Sequence, residues 1–140
     1  MLLRTLILLI VSLAAVGAVP VLRADKGWIR AAPPVARVMA GYLTIRNSGA
    51  KDIVVEGVSS ADFGAIEIHE MAVLDGVMRM RRVAQLRIPA GGTVELKPGG
   101  THMMLFRPQR GLPAGSEVEL QLKTSSGEIP VTLAVREAAP

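Results

Sequence analysis

Short apolar segments separated by turn-forming residues recur along most of the chain. Val38 to Arg46 alternates apolar and polar residues and ends at Asn47-Ser48-Gly49. The C-terminal part repeats the pattern, with an alternating run from Val118 to Leu122, a turn at Ser125-Ser126-Gly127 and a second run from Ile129 to Val135. This period of two predicts β-strands, and the regular spacing of the turns predicts an all-β sandwich or barrel of about eight strands.

The N-terminal stretch has a different pattern. Arg4 precedes a largely apolar run from Leu6 to Val16, and small residues follow it. This arrangement predicts a secretory signal peptide over residues 1–18, with cleavage after Ala24 as the alternative. An uncleaved membrane anchor competes with it, although the run is shorter than the roughly 20 residues of a spanning helix. We expect an exported, periplasmic protein with one domain over residues 25–137 and no stable membrane association after cleavage.

The dipeptide Asp75-Gly76 is a strong signal for a two-residue hairpin turn. Such a turn places Met71 opposite Met80 and His69 opposite Arg82. His69 and Met80 are then diagonal neighbours on one face of the hairpin, within about 7–8 Å at their Cα atoms. A slip of one residue would move one of them to the other face.

The histidines and methionines of the chain are concentrated in the same region. Both histidines and five of the seven methionines lie between residues 69 and 104. His102 and Met104 are two residues apart and share one face of a strand, whereas Met103 lies on the other. Imidazole and thioether together suit Cu(I). Four donors can converge if the two strands are neighbours, but the sequence leaves this open, and methionines also serve as core filling.

The composition argues against several other classes of protein. The chain has no cysteine, which excludes thiol redox chemistry, zinc-thiolate sites and blue-copper electron transfer. Aromatic residues are only 3% and the net charge is +4 without a long basic run, so we expect no nucleic-acid partner. Ser59-Ser60 and Ser125-Ser126 lack the turn that surrounds a catalytic nucleophile, and we do not expect an enzyme.

The spacing of the candidate donors resembles the signature of the PCuAC family of periplasmic copper chaperones. His69 is followed after ten residues by Met80, after a further twenty-one by His102, and after one more by Met104. Other segments of the chain are similar to that family as well: Gly27 to Pro34, Gly41 to Asn47, Glu67 to Met71, Gly76 to Arg81 and Ile88 to Gly100. One departure is Phe106-Arg107, where the family often has a further methionine and a glycine.

The resemblance implies a fold, a cargo and a partner. It implies a cupredoxin-like Greek-key β-sandwich that binds one Cu(I) through His69, Met80, His102 and Met104. It also implies delivery of the copper to an apo acceptor protein of respiratory oxidase assembly, in particular for the binuclear copper site of cytochrome c oxidase. We expect a monomer that transfers copper by ligand exchange.

Two other functions remain compatible with the sequence. One is a periplasmic copper-buffering or tolerance protein with the same site but no dedicated acceptor. The other is a metal-free periplasmic interaction module whose methionines serve packing. Measurement of bound copper separates the second from the first, and a transfer assay with an acceptor separates buffering from delivery.

Overall fold

The structure of the protein is a computed structural model that describes residues 20–140. The expected signal peptide over residues 1–18 lies outside the described residues. Within the described part no helix is long and apolar enough to cross a membrane. All regular structure there is β-strand: β1 Leu22–Arg30, β2 Val38–Asn47, β3 Ile53–Ser59, β4 Phe63–Leu74, β5 Val77–Arg82, β6 Leu86–Ile88, β7 Thr93–Leu96, β8 His102–Pro108, β9 Glu117–Thr124 and β10 Gly127–Arg136.

The strands form one continuous sheet that folds over a single core. Their order is β5-β4-β8-β2-β1-β10-β9-β3-β6, with β7 beside β2. A further pairing of β3 with β4 joins distant parts of this order, so the sheet closes on itself. All pairings are antiparallel except that of β1 with β10, which is parallel. The all-β fold expected from the sequence is confirmed.

The strand count is ten rather than about eight. The two shortest strands are β6 and β7, with three and four residues. Each pairs with the sheet and contributes one buried side chain, Ile88 or Leu96. Segments this short carry little periodicity of their own, and the sheet around them determines their conformation.

The core lies between the inward faces of the strands. Its fully buried side chains are mostly aliphatic and come from nearly every long strand: Ile29, Leu43, Ile45, Val55, Ile88, Met103, Leu105, Val118, Leu120, Leu122, Leu133 and Val135. Met103 and Leu105 point into this core from β8. Because side chains alternate along a strand, His102 and Met104 therefore lie on the outward face.

Candidate metal centre

The β4–β5 hairpin has the register predicted from its turn. Leu74 pairs with Val77, Met71 with Met80, and His69 with Arg82. Asp75 and Gly76 have φ angles of 51° and 76°, and positive φ at both central residues is the mark of a type I′ turn. His69, Met71 and Met80 consequently share one face of the hairpin, as expected.

The pairing of β8 with β4 joins the two halves of the candidate site. His69 is directly opposite His102, and Glu67 is directly opposite Met104. These four side chains share one face because paired residues in an antiparallel sheet point to the same side. The imidazoles of His69 and His102 have their ring centres 6.4 Å apart. The structure therefore brings together the two histidine–methionine pairs, which the sequence could not decide.

Burial differs among the four candidate ligands. His102 is 9% exposed, and the side chain of His69 is 17% exposed. Met104 is half-buried, whereas Met80 is 51% exposed. The imidazoles are thus the buried part of the candidate site, and Met80 is its most exposed member.

The protein fixes the orientation of the His102 ring through a backbone carbonyl. The Nδ1–H of His102 donates to the carbonyl oxygen of Gly100, at 2.8 Å. A carbonyl can only accept, so the proton of the neutral ring is on Nδ1 and the lone pair is on Nε2. A hydrogen bond on one ring nitrogen that frees the other is the usual arrangement of a metal-binding histidine.

The His69 ring is held by a carboxylate, and through Nε2 rather than Nδ1. Its Nε2–H donates to Oε2 of Glu67, at 2.7 Å, which leaves the lone pair on Nδ1. Among residues 20–140, that Nδ1 is the one buried side-chain polar atom without a hydrogen-bond partner. Buried polar atoms are nearly always paired, and an unpaired one calls for an explanation such as an ion.

The carboxylate of Glu67 is in turn kept ionised by its neighbours. The hydrogen bond from His69 is the main reason that the pKa of Glu67 is lowered from 4.5, and the positive charge of Arg82 adds to it against the opposing effect of desolvation. Arg82 Nε lies 3.9 Å from Glu67 Oε1. An ionised acceptor fixes the ring orientation and raises the basicity of the opposite nitrogen.

The donor set fits a soft monovalent ion. Ring nitrogens bind metals at about 2.0 Å, so rings whose centres are 6.4 Å apart leave a space of the right size for one ion. Apart from Glu67, whose carboxylate pairs with His69 and Arg82, the remaining donors on this face are neutral thioethers, which prefer Cu(I) to harder ions. In the part of the chain that the structure describes, no group of three or more His, Cys, Asp and Glu side chains is placed to hold a metal.

Sequence reasoning missed two features of this site. It did not recognise Glu67 as the partner of His69, although their spacing of two along a strand, which places both side chains on one face, was the available signal. The ring of Phe106 lies 6.4 Å from that of His69 and borders the site where the family often has another methionine. Only the pairing of β8 with β4 reveals this contact.

Comparison with known proteins places the chain in a family. Residues 22–135 match the family model described as "Putative lipoprotein LpqE-like", and the chain belongs to this family. It is 31% identical over 115 residues to a protein of Leifsonia xyli named "Putative lipoprotein Lxx21020". It is also 35% identical over 82 residues to the uncharacterised protein RP573 of Rickettsia prowazekii. The matched region spans 68% and 45% of these two relatives.

Solved structures with the same fold are PCuAC domains. The copper-bound PCuAC domain from PmoF2 superimposes with a TM-score of 0.72 and 25% identity, covering 86% of this chain and 97% of that domain. The solution structure of CuI-DR1885 from Deinococcus radiodurans gives a TM-score of 0.67 and 30% identity, covering 89% and 83%. The resemblance to PCuAC domains is therefore confirmed.

Proposed function

We propose that this protein is an exported copper chaperone that holds one Cu(I) through His69, Met80, His102 and Met104. The observation that carries the proposal is the buried, unpartnered Nδ1 of His69. His69 lies on the same face of the sheet as His102 and the thioethers, and a bound cation would satisfy this nitrogen. The similar domain from PmoF2 and the DR1885 protein are both copper-bound proteins by description.

The proposed mechanism is binding and release by ligand exchange, without catalysis. Neutral imidazoles and thioethers hold Cu(I) without thiolate, and an acceptor that offers thiolates would withdraw it. Thioethers do not form disulfides, which suits a site in an oxidising compartment. Met80 is half-exposed, so its thioether is the ligand that an incoming acceptor would displace first.

The acceptor follows from the family resemblance. We propose delivery to an apo copper-acceptor protein of respiratory oxidase assembly in the periplasm, by the protein acting as a monomer. A copper-buffering protein with the same site remains the second candidate. Copper transfer from the loaded protein to an isolated oxidase copper-binding domain distinguishes them, since a buffering protein would transfer no faster than a small chelate of equal affinity.

The ligand assignment is tested by single substitutions that conserve volume. Met80→Leu and Met104→Leu should each weaken Cu(I) binding strongly without unfolding the protein, because Leu and Met are interchangeable for packing to within about 1.5 kcal/mol. Met103→Leu is the matched control, since Met103 adjoins Met104 but is 0% exposed in the core. Competition against a chromophoric Cu(I) chelator gives the affinities. Equal weakening by the Met103 and Met104 variants would contradict the assignment, and a wild-type protein that binds no Cu(I) would contradict the proposed function.

A further inference from the structure

The outer part of the β4–β5 hairpin exposes an unusual set of apolar side chains. Val73 is 65% exposed, Met78 62% and Met71 36%. Core packing does not account for Met78, because most of its surface is in contact with solvent. Exposed methionines at these positions therefore need another explanation than filling.

The register places these methionines in line with the proposed copper site. Met78 is opposite Val73, and Met71 is opposite Met80. Opposed pairs that are two residues apart along the hairpin share a face and form successive levels of that face. Met78 therefore lies one level nearer the turn than Met71 and Met80, and His69 lies one level farther from the turn. Successive levels are separated by about 6.6 Å along the strands, a distance that two flexible thioether side chains can span.

Other elements border two sides of the candidate site. Phe106 borders His69 on the side away from the hairpin tip. Strand β2 flanks Met104, with Ala40 directly opposite it. On the hairpin side, the exposed residues of this face are Arg82, which is opposite His69 and pairs with Glu67, and, nearer the turn, the methionines and Val73. Between the His69–Arg82 pair and the turn, this face therefore carries only thioethers and Val73.

We propose that Met78 and Met71 are stepping-stone ligands that carry Cu(I) between the hairpin tip and the histidine–methionine site. This inference rests on the proposed function. At each step one copper–sulfur bond forms as another copper–ligand bond breaks, so copper stays Cu(I) and no electron or proton is transferred. The final coordination sphere does not include the Met78 thioether.

A stepping stone has a kinetic signature that differs from that of a ligand. It lowers the barrier to entry and to exit equally, so its removal slows loading and release by the same factor and leaves the equilibrium affinity unchanged. Removal of a ligand such as Met80 instead weakens the affinity, chiefly through faster release. The two roles are separable whenever both rate constants and the affinity are measured.

The test removes the Met78 thioether from the full mature protein and then adds a thioether at another position of the hairpin. Met78→Leu should slow both loading from a Cu(I)–bicinchoninate complex and release to excess chelator by several-fold, with the affinity changed by less than about twofold. Adding Val73→Met restores a thioether on the same face, since Val73 is opposite Met78, and should restore both rates. Adding Val77→Met instead puts the thioether on the other face and should restore neither. Met71→Leu should behave as Met78→Leu does.

Each remaining outcome overturns the inference. Loading of Met78→Leu at the wild-type rate, with Cu(I) still bound tightly, would refute the stepping-stone role and leave the proposed function intact. Equal rescue by Val73→Met and Val77→Met would show that any exposed thioether suffices and that the line of methionines has no role. A wild-type protein that binds no Cu(I) at equilibrium would overturn both proposals.

Discussion

At the scale of single residues, the site depends on how two histidines are oriented. His102 is fixed by the carbonyl of Gly100 and His69 by the carboxylate of Glu67. Each ring donates its N–H to the protein, which leaves the lone pair on its other ring nitrogen free to bind a metal. The methionines need no such support, because a thioether has no proton to place.

Glu67 should therefore act as a positioning residue. Glu67→Ala removes the acceptor for the His69 Nε2–H and should weaken Cu(I) binding by about 10- to 100-fold, as loss of such partners commonly does. Glu67→Gln keeps a carbonyl acceptor and should recover most of that loss. Glu70→Ala is the control, since Glu70 lies on the same strand but points to the other face and pairs with Arg81. Chelator competition gives the Cu(I) affinity of all three variants. A loss of affinity in Glu70→Ala as large as that in Glu67→Ala would contradict the positioning role.

At the scale of elements, the hairpin turn sets which side chains meet. The left-handed conformation at Gly76, φ 76°, lets β5 return with Met80 opposite Met71. Strand β8 then supplies His102 and Met104 from its own place in the sheet. Two independent local structures thus have to be held side by side for the site to exist.

Substitution in the turn should be costly for that reason. Gly76→Ala should destabilise the protein by about 1 kcal/mol, because a residue with a Cβ is strained at positive φ. Gly111→Ala is the matched control, since an added Cβ there meets nothing within 4 Å and no positive φ is involved. Chemical denaturation gives both values. Equal losses of stability in the two variants would mean that the positive φ at Gly76 does not matter for stability.

A second contact between elements makes the stability of the protein depend on pH in the acid range. Asp52 accepts hydrogen bonds from the backbone N–H of Ala90 and from Arg87, and these hold its pKa below the ordinary 3.8. A carboxyl with a lowered folded-state pKa contributes stability above its unfolded pKa and loses it as pH falls through the folded value.

Asp52→Asn should remove this part of the acid sensitivity. The wild-type protein should lose its advantage over the variant as pH falls below 3.8, so the two denaturation midpoints should converge towards low pH. Denaturant titrations at neutral and acid pH measure the difference. A gap that stays constant with pH would show that the carboxylate charge at Asp52 is not involved.

At the scale of the whole molecule, the closed sheet includes the start of β1. Leu22, Arg23 and Ala24 pair with Asn47, Arg46 and Ile45, and Leu22 is only 4% exposed. Cleavage after Ala24 would remove these pairs, whereas cleavage after Ala18 would keep them. We therefore propose that the signal peptide ends at Ala18 and that the folded domain includes residues 22–24.

Two versions of the mature chain test this boundary. A protein that begins at residue 25 should be less stable than one that begins at residue 19, by about 1.5–3 kcal/mol for the lost burial of Leu22 alone. Thermal or denaturant unfolding compares them. Intact-mass measurement on protein recovered from the periplasm gives the natural cleavage point, and a mature chain beginning at Asp25 would contradict the proposal.

The sequence by itself determined the local part of this architecture. Period-two alternation identified the strands, and Asp75-Gly76 fixed the hairpin register, because strand parity and turn geometry depend only on neighbouring residues. Only the tertiary structure decided that β8 lies beside β4, that Glu67 and Gly100 orient the two imidazoles, and that Phe106 borders His69. Glu67 and Gly100 are each only two residues from the histidine that they hold, so the sequence carried that signal without selecting the contact. The strand pairing and the Phe106 contact join residues distant in the chain, and the common core selects them: Ile68, Met103 and Leu105 must all be buried on the inner face, which leaves both histidines and Met104 together on the outer one.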